Sequence, residues 1–225
     1  MSTPPDATTP PATRTTRRLL IATTNPHKVR EFRDLLVGLP YELVTPNDLD
    51  LALEIAETGA TFAENAILKA TAWANASGLL ALADDSGLEI DALGGEPGIY
   101  SARWAGDDVS YEQRFQILLA RLAETPAEQR AARYRAAIAI ASPAPVGLRG
   151  VVEGTLEGQI AFAPAGSGGF GYDPIFYVPE ERRTVGQMSD AEKHVISHRA
   201  RAATLARALL QRLAEEAGQS GAKQG

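Results

Sequence analysis

Five apolar residues, Leu79 to Ala83, run directly into Asp84-Asp85-Ser86-Gly87. An unbroken apolar run of this length reads as a strand buried on both faces, the kind found in α/β sheets covered by helices. Two carboxylates and a hydroxyl at its end then sit where open α/β sheets place their ligands, at the carboxyl edge of the strands. Successive side chains of an extended segment point to opposite faces. Only one of the two aspartates can therefore face a given cleft, while the other braces the loop. A solvated turn is the alternative reading of the same residues.

Upstream, the apolar run Leu19 to Ala22 is followed by Thr23, Thr24, Asn25 and Pro26, a turn with an N-cap and a proline at the first helical position. Val29, Phe32, Leu35 and Leu36 give the ensuing helix an apolar stripe up to Gly38. Strand, polar turn and helix start together present backbone N–H groups and the positive end of a dipole to an anion, and Lys28 adds a full charge. The same arrangement also serves as an ordinary connection between a strand and a helix.

Tyr41 to Thr45 reads as a second strand and Asp48 to Thr58 as a loop carrying Glu54 and Glu57. Thr61-Phe62-Ala63-Glu64 is a capping box that opens a helix to about Ser77. Thr61, Asn65 and Lys69 line one face of it, and Phe62, Ala66, Ala70 and Trp73 another, which looks like core. Leu88 to Leu93 alternates as a half-exposed strand before the turn Gly94 to Gly98. Ser110 and Gln113 cap a helix with Phe115, Leu118, Leu119 and Leu122 inward. Arg133 to Ala141 is a strand, and Val151 to Leu156 with Gln159 to Phe162 suggests a hairpin-like pair.

Gly166-Ser167-Gly168-Gly169-Phe170-Gly171 satisfies the letter of the dinucleotide fingerprint. No helix opens after it, because Tyr172, Asp173 and Pro174 intervene and Phe176 to Val178 is extended, so that function is rejected. A glycine-rich loop presenting Phe170, Tyr172 and Asp173 suits backbone and aromatic contact with a flat ligand. Ser189 and Glu192 cap a last helical region carrying Lys193, His194, Ser197, His198 and Arg199, with an apolar stripe from Ile196 to Ala217 before Gly218 ends it. His194 and His198 have zinc-protease spacing, but Val195 stands where that chemistry needs a glutamate.

Composition narrows the function. The 225 residues carry no cysteine, which removes disulfides, thiol nucleophiles and cysteine-ligated metals and suits a reducing, cytoplasmic setting. A formal net charge of −6 leaves no global field for nucleic acid polymer or an anionic membrane, and no apolar run approaches the roughly 18 residues needed to span a bilayer. Basic residues divide into 18 arginines and four lysines. Lys28, Lys69 and Lys193 are thus positions where a compact ammonium serves better than a planar fork. Residues 1–17 read as a flexible Thr/Pro-rich tail, 18–217 as one domain, and 218–225 as a second tail. Anion grips, acidic metal ligands and a flat-ring platform together describe a nucleoside polyphosphate handled with a divalent cation.

Six ordered stretches resemble the inosine/xanthosine triphosphate pyrophosphatase family: Thr23-Thr24-Asn25-Pro26-His27-Lys28, Thr58 to Ala66, Ala83 to Leu88, Pro97 to Arg103, Gly168 to Pro174, and Ser197-His198-Arg199. The resemblance spans Leu19 to about Leu205. It implies an α/β fold with a long mixed twisted sheet and flanking helices, forming two lobes around a central cleft. It also implies a homodimer and Mg²⁺-dependent hydrolysis of the deaminated purine nucleotides ITP, dITP and XTP to the monophosphate and pyrophosphate.

By position, Thr23, Thr24, Asn25, Pro26, His27 and Lys28 would hold phosphates, Asp85 would accept the proton and bind metal, and Ser86 would touch substrate. Phe170, Gly171, Tyr172, Asp173, Lys193, His198 and Arg199 would complete the pocket. Glu57, Glu64, Asn65 and Lys69 would support metal and triphosphate, with Glu57 as a metal ligand and Lys69 at the reacting centre. Donors from His198 or Arg199 aimed at the 6-oxo group of inosine or xanthine would leave the 6-amino group of adenine unpaired. Thr24 departs from the family's usual Gly or Ser, and Ala56 from a usual second acid. A pyrophosphatase for another non-standard base, or a nucleotide-binding regulator without turnover, would use the same grips.

Overall fold

The computed structural model describes residues 17–106 and 108–222. The tail expected over 1–17 lies outside the described residues except for Arg17, which opens the first strand. In chain order the described elements are β1 (Arg17–Ile21), α1 (Pro26–Leu35), β2 (Tyr41–Val44), α2 (Phe62–Ser77), β3 (Leu80–Ile90) and α3 (Tyr111–Arg121). They continue with β4 (Ala131–Ala141), β5 (Leu148–Ile160), β6 (Phe176–Val178), β7 (Arg183–Thr184), α4 (Asp190–Ile196) and α5 (His198–Ala222). One sheet takes the strands in the order β2-β1-β3-β4-β5-β6-β7. β1 lies parallel to β2 and β3, and the remaining pairs are antiparallel. The expected α/β fold with a mixed sheet is therefore what forms.

The alternation of side chains along β1, β3 and β4 sorts the core by face. Leu19, Ile21, Leu82, Ile138 and Ile140 pack with Phe32 of α1 and with Ala202, Ala206 and Leu210 of α5. On the opposite face Ala81, Ala83, Ala137 and Ala139 meet Ala66, Ala70 and Ala74 of α2, and alanine against alanine lets that helix sit close to the sheet. The far halves of β3 and β4 belong to another core, where Leu88, Ile90 and Tyr134 join Phe115 and Leu118 of α3 and Phe176. The sheet thus runs from one lobe into the other.

Several elements differ from the sequence-based expectation. The strand predicted to end at Ala83 continues through both aspartates, and Ala81 to Ile90 pair one by one with β4. Asp84 and Asp85 are mid-strand residues opposite Ile138 and Ala137, not loop residues. The separate strand expected over Leu88 to Leu93 is the end of β3 followed by a short 3-10 turn, Asp91–Leu93. The pair expected within 151–162 is one strand, β5. Gly158 marks no turn there: a Cβ on it would stand 2.6 Å from the Phe176 ring. The last helical region breaks at Ser197, whose backbone is extended and whose hydroxyl accepts the Ala200 N–H at 3.1 Å. α5 passes Gly218 and reaches Ala222, so Gly218 does not end it.

Where α5 begins, it rests on β5 at a glycine. A Cβ on Gly154 would fall 2.2 Å from the carbonyl oxygen of His198 and 2.5 Å from the Ala202 nitrogen. Backbone cannot yield that much cheaply. Gly154→Ala is expected to cost about 1–3 kcal/mol through overpacking, lowering Tm by roughly 3–10 °C in a chain of this size. Thermal unfolding of the two proteins checks it, and an unchanged Tm would mean that α5 does not seat on β5 as described.

Candidate active site

A cavity of about 490 Å³ opens between the lobes. Of the residues expected from the sequence, Thr23, Thr24, Asn25, Lys28, Glu57, Lys69, Ser86, Phe170, Gly171, Tyr172, Asp173, Lys193, His198 and Arg199 line it. Pro26, His27, Glu64, Asn65 and Asp85 do not, although Asp85 sits directly behind Lys69. Asp84, expected only to brace a loop, lines the cavity as well.

The turn between β1 and α1 forms as its residues require. Asn25 is the N-cap, and its side-chain oxygen accepts from the N–H groups of His27 and Lys28 at 2.9 and 3.4 Å. Pro26 has no N–H to give. The first-turn amides expected to face an anion are thus already taken by the cap, and what the turn offers the cavity is Lys28, the threonine hydroxyls and the helix dipole. Lys28 Nζ lies 3.1 Å from Asp84 Oδ1; burial holds its pKa below the ordinary value, and Asp84 pulls in the opposite direction.

On the α2 face of β3, Asp85 is 6 % exposed and bound on both oxygens. Lys69 Nζ donates to its Oδ1 at 2.7 Å and Asn65 Nδ2 to its Oδ2 at 3.3 Å. The Asn65 oxygen accepts the Gly59 N–H at 2.8 Å, and a Cβ on Gly59 would collide with that same oxygen. Lys69 also reaches Glu57 at 3.0 Å, whose second oxygen takes Arg103 Nη1 at 2.8 Å. Burial raises the pKa of Asp85, and Lys69 only partly offsets this. Burial also pushes Glu57 up, but Arg103 and Lys69 outweigh it and the net shift is down. The capping box at the start of α2 closes only on one side. Thr61 accepts the Glu64 N–H, while the Glu64 Oε2 accepts the Ala60 N–H at 2.6 Å, which ties Glu64 to the loop before the helix.

Two carboxylates bracketing one ammonium are a donor set that a hard divalent cation accepts when phosphate oxygens and water complete the shell. Among the described residues no cluster of three or more His, Asp, Glu or Cys side chains converges. Asp85 and Glu57 therefore fit a metal carried largely by its substrate.

The other face of β3 carries a buried chain of alternating charge. Arg199, 1 % exposed, donates from Nε and Nη2 to Asp84 Oδ2 at 3.2 and 3.1 Å, from Nη1 to Glu31 Oε2 at 2.6 Å, and from Nη2 to Ser86 Oγ at 2.7 Å. Glu31 Oε1 is 2.9 Å from Lys193 Nζ, which donates to Asp173 Oδ2 at 2.8 Å. Asp173 also accepts the Phe170 N–H and the Tyr134 hydroxyl. Burial pushes Asp84 up, but Lys28 and Arg199 overwhelm it and hold its carboxyl far below the usual range. The Arg199 nitrogens expected to read a base are thus engaged with Asp84, Glu31 and Ser86. His198 stacks on Tyr134 at 4.7 Å, and its buried Nδ1 has no partner; burial, then Arg199 and Lys193, drive its pKa well down.

Sequence reasoning missed Glu31, Tyr134 and Arg103. Glu31 is one turn beyond Lys28 on α1, a charge on the flank of an apolar stripe. Tyr134 was legible only as core, though a buried phenol needs a partner for its hydroxyl. Arg103 stands inside a motif quoted for the resemblance but drew no role.

Glu31 separates two buried cations. Glu31→Gln is expected to destabilise the fold by about 3–5 kcal/mol, as loss of one partner from a buried ionic set does, measured by urea unfolding. Asp84, with its folded pKa depressed, contributes stability that is full above its unfolded value near ~3.9 and fades as pH falls toward the folded one. Asp84→Asn should flatten that acid limb, and an unchanged pH profile of stability would contradict the pairing.

The Ham1 family model matches residues 19–209. A dITP/XTP pyrophosphatase of Symbiobacterium thermophilum is 55% identical over 194 residues, covering 86% of this chain and 93% of the relative. One of Geobacillus kaustophilus is 48% identical over 188 residues, covering 84% and 91%. Among solved structures, a HAM1 protein from Coxiella burnetii aligns with TM-score 0.79 at 39% identity, covering 87% of this chain and 99% of that one. The Staphylococcus aureus Ham1 protein gives 0.77 at 42%, covering 87% and 98%. The likeness read from six motifs and the lobed sheet around a cation-lined cavity agree with these matches, and the chain belongs to the Ham1 family.

Proposed function

We propose that this chain is a nucleoside triphosphate pyrophosphatase that hydrolyses dITP, XTP and ITP to the monophosphate and pyrophosphate, clearing deaminated purines from the nucleotide pool. The observation that carries the reading is the buried Asp85 carboxylate, 2.7 Å behind Lys69, which itself lines the cavity; burial raises the carboxylate's pKa. Relatives named dITP/XTP pyrophosphatase supply the substrate class.

Lys28, Lys69 and the hydroxyls of Thr23 and Thr24 grip the triphosphate and neutralise its charge. Asp85 orients a water molecule toward the α-phosphorus and takes its proton as the new P–O bond forms; the bond to the β-phosphate oxygen breaks and pyrophosphate leaves. Asp85 and Glu57 would hold a Mg²⁺ ion, which would supply further charge neutralisation at the phosphates. At the other end Phe170 and Tyr172 give the base a flat contact, and Asp173, Lys193 and His198 surround it with polar groups. His198 lines the cavity beside them, its ring stacked on Tyr134. The reading includes a homodimer acting in the cytoplasm, without nucleic acid polymer or membrane as partner; no helix among the described residues is long and apolar enough to cross a membrane.

Asp85→Asn is expected to lower kcat for dITP by at least about 10²-fold, the scale of a lost general base, while dITP binding measured by calorimetry persists. Equal turnover in mutant and wild type would remove Asp85 from the mechanism. A panel of triphosphates with Mg²⁺ and pyrophosphate detection should favour dITP, XTP and ITP; preference for a modified pyrimidine would overturn the substrate class.

A further inference from the structure

His27 belongs to the turn that sequence reasoning gives to phosphate, but its ring is elsewhere. Thr23, Thr24, Asn25 and Lys28 line the cavity between the lobes and His27 does not. Its imidazole stacks on the ring of Phe170, centroids 5.2 Å apart and planes 16° from parallel. Lys193 Nζ and Arg199 Cζ also lie over that ring, at 4.5 and 5.5 Å.

These neighbours belong to different spaces. Lys193 and Arg199 line the main cavity, whereas His27 lines a second one of about 520 Å³, together with Tyr111, Phe115 and the glycine-rich loop. Phe170 lines both. Phe170 thus stands between the two spaces, with Lys193 and Arg199 lining one and His27 the other. Its backbone is flanked by Gly169 and Gly171 with φ of +69° and +66°, and both of its backbone hydrogen bonds go to one residue, Asp173: the N–H donates to Oδ2 at 2.8 Å and the carbonyl accepts the Asp173 N–H at 3.4 Å. The imidazole, by contrast, is carried on the first turn of α1. Its backbone N–H is capped by Asn25, and Arg30 Nη2, which only donates, lies 3.2 Å from its Nδ1.

We propose that His27 is a positioning residue for the base platform and not a phosphate ligand: it backs Phe170 from the second cavity, so that the purine meets a ring already held at its working angle. The proposal rests on the reading that the base stacks on Phe170. It links the phosphate-gripping turn to the base-binding loop through one aromatic contact, and its effect is preorganisation, which shows as affinity.

The test compares His27→Ala, His27→Phe and Phe170→Leu by steady-state kinetics with dITP and by competitive inhibition with inorganic tripolyphosphate, which has no base. His27→Ala is expected to raise KM for dITP roughly two- to tenfold, the scale of a single aromatic stack, with the change falling on KM and not on kcat. Its inhibition constant for tripolyphosphate stays at the wild-type value, and His27→Phe restores KM. His27 is exposed, so truncation leaves the core intact. Parallel weakening of tripolyphosphate and dITP would make His27 a phosphate ligand and overturn the proposal, as would failure of His27→Phe to restore KM. If Phe170→Leu raises KM while His27→Ala does not, the platform stands without His27 behind it and only the proposal falls. If neither variant moves KM, the base does not lie on Phe170, and the reading beneath the proposal falls with it.

Discussion

A carboxylate with no solvent exposure, Asp84, sits in the middle of a strand paired on both sides, and the arrangement of the cavity follows from having to neutralise it. Removing an unpaired carboxylate from water costs several kcal/mol, so the charge persists only if cations come to it. Lys28 arrives from the start of α1 and Arg199 from the start of α5, two segments 171 positions apart in the chain. Arg199 in turn needs Glu31, Glu31 accommodates Lys193, and Lys193 reaches Asp173 in the glycine-rich loop. One buried charge thereby fixes the start of α1, the start of α5 and the glycine-rich loop relative to one another.

The neighbouring aspartate does different work because the strand turns it to the other face. Asp84 has its pKa driven down by two close cations, and Asp85 has its own pushed up by burial against one lysine. Adjacent carboxylates thus have opposite shifts: Asp84 is held by its cations as their counter-ion, and Asp85, the proton acceptor of the proposed reaction, is the less acidic of the two. This contrast needs no more than the two-residue repeat of an extended chain and the different residues of α2 and α5.

Local signals in the sequence were legible where local physics decides. The cap at Asn25, the proline after it, the boxes at Ser110 and Ser189, and the stripe Asn65 to Lys69 all form as their spacing dictates. What was not legible depends on distant partners. Acidic residues ordinarily end a strand, yet β3 runs through two of them because β4 offers an unbroken ladder and cations meet both charges. Gly154 and Gly158 resemble turn residues but are smooth points where His198 of α5 and Phe176 of β6 approach β5. Glu31 has no feature of its own that announces a partner more than 160 residues away. Arg199 and His198 both line the cavity, but only the fold tells that Arg199 is bound by acids while the buried Nδ1 of His198 has no partner.

The most direct measurement of the central claim is a crystal structure with a non-hydrolysable dITP analogue and Mg²⁺. The α-phosphate is expected beside Asp85 at a distance that one water can bridge, with the triphosphate between Lys28 and Lys69 and the base against Phe170. A triphosphate bound elsewhere, with Asp85 still closed against Lys69 and remote from phosphorus, would contradict that claim.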